Sequence, residues 1–279
     1  MITRNNIIGQ KDLLDRIDAL IDSDNFPRFS IIVGGRLSGK KLICSYIADK
    51  LGCTYVPCSS KVEDVRQIID MSNSTLEYML YVFHNISNMS ISAKNALLKI
   101  TEEPPQNAYF IMNTTNPENI LPTILSRGTS FYIQPYTLDE LNEYLGTKPW
   151  YTEEYKSLLD LCSTPGEVDE LDKCNVQELV SFTNKILDNI GVASLPNVLK
   201  LANNFNLKKD DTDKYDIQMF FKCVMYIASK RYKDTKDNNY NLLCIETCKI
   251  QSEFRTVSIN KLAVLDKWLL YANSLFAKR

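Results

Sequence analysis

The sequence lacks a strong net charge, a long apolar run and an apolar leader, and each absence excludes a class of protein. Its 279 residues carry a formal net charge of −2 at pH 7, so no global positive field indicates nucleic-acid binding. Any DNA contact must come from a local patch or from partner proteins. No run of about 18 apolar residues exists, so we expect no membrane span. The N-terminal segment lacks an apolar signal sequence, which predicts a cytoplasmic protein.

The sequence also lacks a metal-binding pattern. It has eight cysteines and one histidine, but no pair of cysteines has the C-x-x-C spacing. We therefore expect no zinc or other bound metal, and we interpret the cysteines as reduced thiols of an intracellular protein. Cys244 and Cys248 lie one helical turn apart, and we expect them to line a core face.

Short apolar runs alternate with helical patterns through the first half of the chain. The runs lie at 29–33, 53–56, 79–83, 109–113 and 130–133. This alternation predicts an α/β fold with a parallel sheet that is covered by helices on both faces. After Pro135 the alternation ends, and only helical patterns follow, of which the clearest span 216–233, 240–254 and 258–277.

A glycine-rich loop follows the first apolar run. Gly34, Gly39 and Lys40 have the G-x-x-x-x-G-K spacing of a phosphate-binding loop, and they lie between a predicted strand and a predicted helix. Glycines let backbone N–H groups converge on an anion, and the N-terminus of the helix favours negative charge. We therefore predict a nucleotide site in which Lys40 reaches the β- and γ-phosphates.

Two positions that handle magnesium in such sites carry other residue types. The residue after Lys40 is normally Ser or Thr, but here it is Lys41, whose ammonium repels a cation. The run at 79–83 is followed by His84 and Asn85, where hydrolysis needs an acidic residue. His84 as a catalytic base is the alternative to a position that catalysis no longer uses. The two departures predict a pseudo-ATPase that requires no cofactor, with residual ATP or ADP binding left open.

Four segments resemble one protein family. The segment 95–105 reads NALLKITEEPP and resembles the signature of the clamp-loader branch of the AAA+ ATPases. Segments 7–10 (IIGQ), 124–128 (ILSRG) and 164–168 (TPGEV) resemble its N-terminal, SRC and lid motifs. Within this family the chain is most similar to the delta-prime subunit of DNA polymerase III. The zinc module that is usual there is absent.

The resemblance implies a domain organisation and a role for one arginine. It implies an AAA+ P-loop domain over 1–135, a helical lid over 136–177 and a helical collar over 178–279. Arg127 stands at the SRC arginine, which in the family enters the nucleotide site of a neighbouring subunit as an arginine finger. A guanidinium can stabilise transition-state charge because it binds phosphate oxygens bidentately. The alternative is a surface arginine that caps the helix ending near Ser126.

The resemblance also implies partners. Lys94 and Lys99 lie on the signature helix, where family members follow DNA phosphates, although solvated helix charges explain them equally well. We expect a non-catalytic subunit of a sliding-clamp loader that assembles with gamma/tau-like and delta-like subunits, the sliding clamp and primer-template DNA. The alternatives are an active clamp-loader ATPase with an unusual metal site and a stand-alone AAA+-like adaptor in replication or repair.

Overall fold

Strands and helices alternate through the first half of the chain. The computed structural model describes residues 2–74, 76–84, 86, 89–156, 158–173, 176–207, 214–254 and 260–277. The strands are β1 (Phe29–Val33), β2 (Thr54–Cys58), β3 (Met79–Phe83), β4 (Ala108–Thr114) and β5 (Thr129–Tyr132). The helices between and before them are α1 (Lys11–Asp22), α2 (Lys40–Leu51), α3 (Val62–Ser74), α4 (Ile91–Glu102) and α5 (Pro122–Leu125). The predicted α/β class is confirmed.

All five strands are parallel and form one sheet in the order β2-β3-β4-β1-β5. Every residue of β1 and β4 is buried, as expected for central strands that are covered on both faces. Alternate residues of a strand enter different cores, since Ile31 packs with Leu97 and Phe110 on one face, whereas Ile32 packs on the other. This order brings the carboxyl ends of β3, β4 and β1 side by side, where open α/β sheets bind ligands.

The signature helix α4 has a defined start and a defined stop. The hydroxyl of Ser90 accepts a hydrogen bond from the backbone N–H of Ala93 at 3.1 Å and caps the helix N-terminus. The helix ends at Glu102, two residues before Pro104, because proline has no N–H to donate and restricts the residue before it. The helix and its end before the two prolines are therefore as predicted.

The remainder of the described chain is helical. Its helices are α6 (Leu138–Gly146), α7 (Glu153–Lys156), α8 (Pro165–Lys173), α9 (Val176–Asn189), α10 (Leu195–Lys200), α11 (Ile217–Thr235), α12 (Asn238–Glu253) and α13 (Lys261–Phe276). Over the described residues beyond Tyr132 the only β pairing is an isolated bridge between Phe205 and Tyr215. Within the described residues, none of the helices has the length and apolar character needed to cross a membrane.

The chain divides into two compact units. The first comprises Met1–Pro149 and Cys162–Glu167, and the second comprises Trp150–Leu161 and Val168–Arg279. The predicted boundaries of the three domains, 1–135, 136–177 and 178–279, differ from these limits, and the three-domain division stays a prediction.

An aromatic cluster forms the core of the second unit. Trp268 is fully buried, packs edge-on against Phe220 at 5.4 Å, and donates from Nε1 to the hydroxyl of Thr247 at 2.9 Å. The buried face of α12 carries Leu243, Thr247 and Ile250. The expectation that Cys244 and Cys248 line a core face was therefore wrong for Cys248, which is exposed.

Candidate functional site

The loop between β1 and α2 has the backbone of a phosphate-binding loop. Gly39 caps α2 with a φ of +85°, a conformation that glycine adopts without strain, and Leu37 also has a positive φ. A Cβ on Gly34 would lie 2.8 Å from Ser38 Oγ and 3.0 Å from Ile133, so the loop can fold back on itself only with glycine there. The predicted position of the loop between a strand and a helix is confirmed, and its binding of a nucleotide stays a prediction.

Lys40 is held inside this loop. Its Nζ donates to the carbonyl of Gly34 at 2.8 Å and to the carbonyl of Gly35 at 2.5 Å. Burial lowers the pKa of Lys40 because the charged ammonium loses water. The side chain of Lys40 therefore lies against the loop, and its contact with the β- and γ-phosphates stays a prediction.

A cavity of about 590 Å³ opens on the loop. Its charged lining residues are Arg36, Lys40 and Lys41, and its polar lining residues include Ser38, Ser45, Thr114, Thr115, His84 and Asn113. The lining contains no carboxylate among the residues that the structure describes. The hydroxyl of Ser38 is buried and has no hydrogen-bond partner. The three cationic residues in the lining suit a phosphate-bearing anion.

His84 lies at the other end of the cavity, just after β3, and both of its ring nitrogens are occupied. Its Nδ1 lies 3.1 Å from Nδ2 of Asn113, and because an amide nitrogen only donates, Nδ1 accepts. The proton is then on Nε2, which donates to Tyr55 Oη at 2.9 Å. The side chain of Asn113 also hydrogen-bonds to the thiol of Cys44, at 3.5 Å.

The environment keeps the hydrogen-bonded side chains of His84 and Cys44 uncharged. Burial lowers the pKa of His84, and the nearby ammonium groups of Lys41 and Lys40 lower it further. Burial also raises the pKa of Cys44 to about 12. A neutral imidazole with both nitrogens bonded offers no free lone pair to a proton or a metal. The interpretation of His84 as a catalytic base is therefore not favoured, and Asn85 lies outside the described residues.

These residues do not fit a magnesium ion. Mg²⁺ takes oxygen ligands in octahedral geometry, whereas the two positions that would supply them carry the ammonium of Lys41 and the bonded imidazole of His84. The described residues include no group of three or more His, Cys, Asp or Glu side chains arranged to hold a metal. The predicted absence of zinc stays a prediction.

Two further segments contact the phosphate loop through contacts that the sequence does not predict. Tyr136 donates from Oη to the carbonyl of Ser38 at 3.0 Å. The backbone N–H of Gly166 donates to the carbonyl of Leu37 at 3.2 Å, and a Cβ on Gly166 would lie 2.7 Å from Leu37 Cβ. The pairing of β5 with β1, which puts Tyr132 beside Val33, was the signal that places Tyr136 near the loop.

The N-terminal segment 7–10 contacts the residues that follow β5. The side chain of Gln10 donates to the carbonyl of Gln134 at 2.9 Å and accepts from the N–H of Gln134 at 2.8 Å. Gly9 has a φ of +60°, and a Cβ there would lie 2.4 Å from the carboxylate of Glu140. This segment is therefore held against residues that follow β5, the same stretch that contributes Tyr136 to the phosphate loop.

Arg127 lies in the turn after α5 and does not line the cavity of its own chain. Its Nη2 pairs with Glu102 Oε1 at 2.8 Å, and its Nη1 donates to the carbonyl of Thr123 at 2.6 Å. The bond to Thr123 caps the short helix α5, as the alternative interpretation of Arg127 expected. The guanidinium is still 36% exposed, so it is accessible from outside the chain.

The two lysines of the signature helix lie in different environments. Lys99 is exposed, but Lys94 is only 9% exposed. Lys94 is therefore less accessible than Lys99, and contact of either lysine with DNA phosphates stays a prediction. Positions 94 and 99 are five residues apart, which on a helix turns the side chains to different faces.

Comparisons with known proteins show which proteins the sheet-bearing part resembles. The family model described as "DNA polymerase III, delta subunit" matches residues 21–137. The chain is 29% identical over 170 residues to the DNA polymerase III gamma subunit of Buchnera aphidicola subsp. Baizongia pistaciae, which covers 50% of this chain and 46% of that protein. It is 22% identical over 218 residues to the tau subunit of Bacillus subtilis, covering 65% of this chain and 38% of that protein.

The sheet-bearing part of the chain is therefore similar to DNA polymerase III subunits of the clamp-loader AAA+ type. The chain spans less than half the length of these curated relatives. Solved structures of AAA+ type agree in fold. A DNA polymerase III gamma subunit-related protein of Thermotoga maritima has a TM-score of 0.51 and 16% identity, covering 93% of this chain and 99% of that chain. The Thermotoga maritima RuvB Holliday junction branch migration motor has a TM-score of 0.51 and 14% identity, covering 96% and 84%.

The matched residues 21–137 contain the phosphate loop, His84, helix α4 and Arg127. The hydrogen bonds of His84 and the ion pair of Arg127 are observed in the structure of this chain itself.

Proposed function

We propose that this chain is a non-catalytic, delta-prime-like subunit of a DNA sliding-clamp loader. The observation that carries the proposal lies at the carboxyl end of β3, where hydrolysis needs an acidic residue. There the neutral His84 is bonded to both Asn113 and Tyr55. Neither it nor Lys41 provides a ligand for Mg²⁺, so the chain is a pseudo-ATPase.

The phosphate loop has the residues that bind an anion, whereas Lys41 and His84 do not suit a metal ion. Lys40, Arg36 and the N-terminus of α2 still suit an anion, so residual binding of ATP or ADP does not depend on magnesium. The chain requires no cofactor for its role. Nucleotide bound here stabilises the fold and is not turned over.

Arg127 carries the proposed activity in trans. As an arginine finger it reaches the nucleotide of a neighbouring gamma/tau-like subunit and stabilises the charge of phosphoryl transfer there. The loader would further contain a delta-like subunit and would act on the sliding clamp and primer-template DNA. The helices of the second unit would form the collar that holds the ring together.

Two rival functions differ in their tests. An active ATPase would release phosphate from Mg·ATP in isolation, and Lys40→Ala would abolish that release. A stand-alone adaptor would bind neither the clamp nor other loader subunits. We expect phosphate release at background level for both the wild type and Lys40→Ala, and we expect the chain to co-purify with the other loader subunits.

The deciding experiment is the clamp- and DNA-stimulated ATPase of the reconstituted loader. Arg127→Ala should lower it, because a finger contributes roughly 10³–10⁵ in rate at the site it serves. The loss in the total rate is smaller, since other sites in the ring keep their own fingers. Arg127→Lys should rescue poorly because an ammonium lacks the planar fork.

The matched control is Arg66→Ala, which removes an exposed arginine from α3. It should leave both ATPase and clamp loading unchanged. Wild-type rates for Arg127→Ala at saturating subunit concentration would contradict the proposed function.

A further inference from the structure

Two elements present opposite charges to each other at the surface of the first unit. Glu102 is the last residue of α4, and Arg127 lies in the turn that follows α5. Arg127 Nη2 is 2.8 Å from Glu102 Oε1, and both side chains are partly exposed, at 36% for the arginine and 52% for the glutamate. The other terminal nitrogen of Arg127 donates to the carbonyl of Thr123 at 2.6 Å. Each arm of the guanidinium fork therefore has one oxygen partner.

The backbones that carry these two charges are fixed by one core. Leu97 and Ile100 of α4 pack in the same apolar cluster as Ile124 of α5. Gly128 follows Arg127, and a Cβ there would lie 2.7 Å from the ring of Phe29, so this turn is pressed against β1. Only the two side chains are free to change partners.

We propose that Glu102 is the resting partner of Arg127 and holds its guanidinium until a phosphate group of the neighbouring subunit's nucleotide replaces the carboxylate. The inference rests on the finger role proposed above and assigns the residue that positions the finger. A carboxylate and a phosphate use the same donors of the guanidinium, so they exclude each other. The bond to Thr123 stays and keeps the fork oriented during the exchange.

The strength of the pair suits an exchange. An exposed ion pair contributes little to stability because water and salt screen it. An arginine–phosphate pair is charge-assisted and often bidentate, so it is the stronger of the two. Glu102 therefore limits the motion of the free side chain without competing strongly in the assembled ring.

The test uses the isolated chain and the arginine reagent phenylglyoxal, with the rate at each arginine followed by peptide mass spectrometry. Glu102→Gln keeps the size of the side chain and removes its charge. The rate at Arg127 should rise about two- to five-fold, the population change that an exposed ion pair supports. Arg66 is the internal reference, and its rate should stay constant.

Glu103→Gln is the matched control. Glu103 is the adjacent exposed carboxylate, and in the described part of the chain it forms no ion pair with Arg127. It should leave the rate at Arg127 unchanged. Added NaCl should raise the wild-type rate toward that of Glu102→Gln and should leave the variant unaffected, because only the wild type has a pair to screen.

Inorganic pyrophosphate tests the exchange itself. It should protect Arg127 from the reagent at a lower concentration in Glu102→Gln than in the wild type. Equal rates and equal protection in the two proteins would overturn the role of Glu102 and leave the finger role untouched. Wild-type loader ATPase with Arg127→Ala would instead overturn the finger role, and the inference would fail with it.

Discussion

The side-chain amide of Asn113 donates a hydrogen bond to Nδ1 of His84 across 3.1 Å and so joins the carboxyl ends of β4 and β3. The other ring nitrogen of His84 bonds to Tyr55 of β2 at 2.9 Å. Three adjacent strands thus contribute side chains to one uncharged hydrogen-bond network. It lies where an active site of this type would hold magnesium. Both ring nitrogens of His84 have hydrogen-bond partners, so the imidazole has no unpaired polar atom.

The first prediction concerns pH. Burial, Lys41 and Lys40 lower the pKa of His84 in the folded chain below its usual value of about 6.5. The unfolded chain then takes up the proton first, so stability should be full above about pH 6.5 and should fall as the pH drops below it. The melting temperature of the wild type between pH 5.5 and 7.5 measures this.

His84 is the only histidine in the chain, so the effect can be assigned to it. In His84→Gln the dependence of melting temperature on pH over this window should be much weaker. An unchanged slope in the variant would show that other groups cause it.

The sequence predicted the local features of the site well. The phosphate loop was predictable because its spacing and its strand–helix context lie within a dozen neighbouring residues. The presence of Lys41 and His84, whose side chains do not suit magnesium, was equally visible. Tyr55 as the partner of His84 was not, because the contact depends on the order of β2 and β3 in the sheet, which crossovers set.

Two charged residues show the same limit. A lysine at position 94 predicts a surface charge by residue type, although Leu97, Leu98 and Thr101 at i+3, i+4 and i+7 place it on the helix face that turns inward. The pairing of Glu102 with Arg127 joins two elements that are separated by β4. Composition and periodicity carry no information on such a contact.

The second prediction concerns Gly128, which follows Arg127 in the turn after α5. A Cβ at this position would lie 2.7 Å from Phe29 Cε1 and 2.9 Å from Ile31 Cδ1, both in a buried core. Gly128→Ala should therefore destabilise the chain by about 1–3 kcal/mol, the usual cost of overpacking. Urea denaturation measures the change.

Gly146→Ala is its control, because a Cβ there meets no atom within 4 Å. Gly146 ends α6, and alanine there should leave stability unchanged or raise it slightly. Equal effects of the two substitutions would contradict the packing argument.

The third prediction separates the two lysines of α4. Lys94→Ala should lower the melting temperature because it removes a buried side chain together with its contacts. Lys99→Ala should leave the melting temperature unchanged, since Lys99 is exposed. In the reconstituted loader, Lys99→Ala should weaken DNA binding and reduce the salt slope by about 1, the value for one lost phosphate contact. An unchanged salt slope would show that Lys99 is only a solvated charge.

The fourth prediction concerns a double variant that should gain a magnesium site. Lys41→Thr provides the hydroxyl and His84→Asp the carboxylate that a phosphate loop of this type uses to hold Mg²⁺. The double variant should bind ATP more tightly with Mg²⁺ than with EDTA, whereas Mg²⁺ should give the wild type no gain in affinity. Fluorescent-nucleotide titrations measure both. Each single variant should gain less than the double variant, because one ligand leaves the coordination shell incomplete.

Lys40→Ala in the double-variant background is the control for this experiment. It should abolish the magnesium-dependent gain, because Lys40 lies at the floor of the loop where the phosphates would bind. A variant that fails to fold is recognised by its melting curve. If the wild type already binds ATP more tightly with Mg²⁺, a metal ligand exists beyond Lys41 and His84. The chain would then be an active clamp-loader ATPase with an unusual metal site.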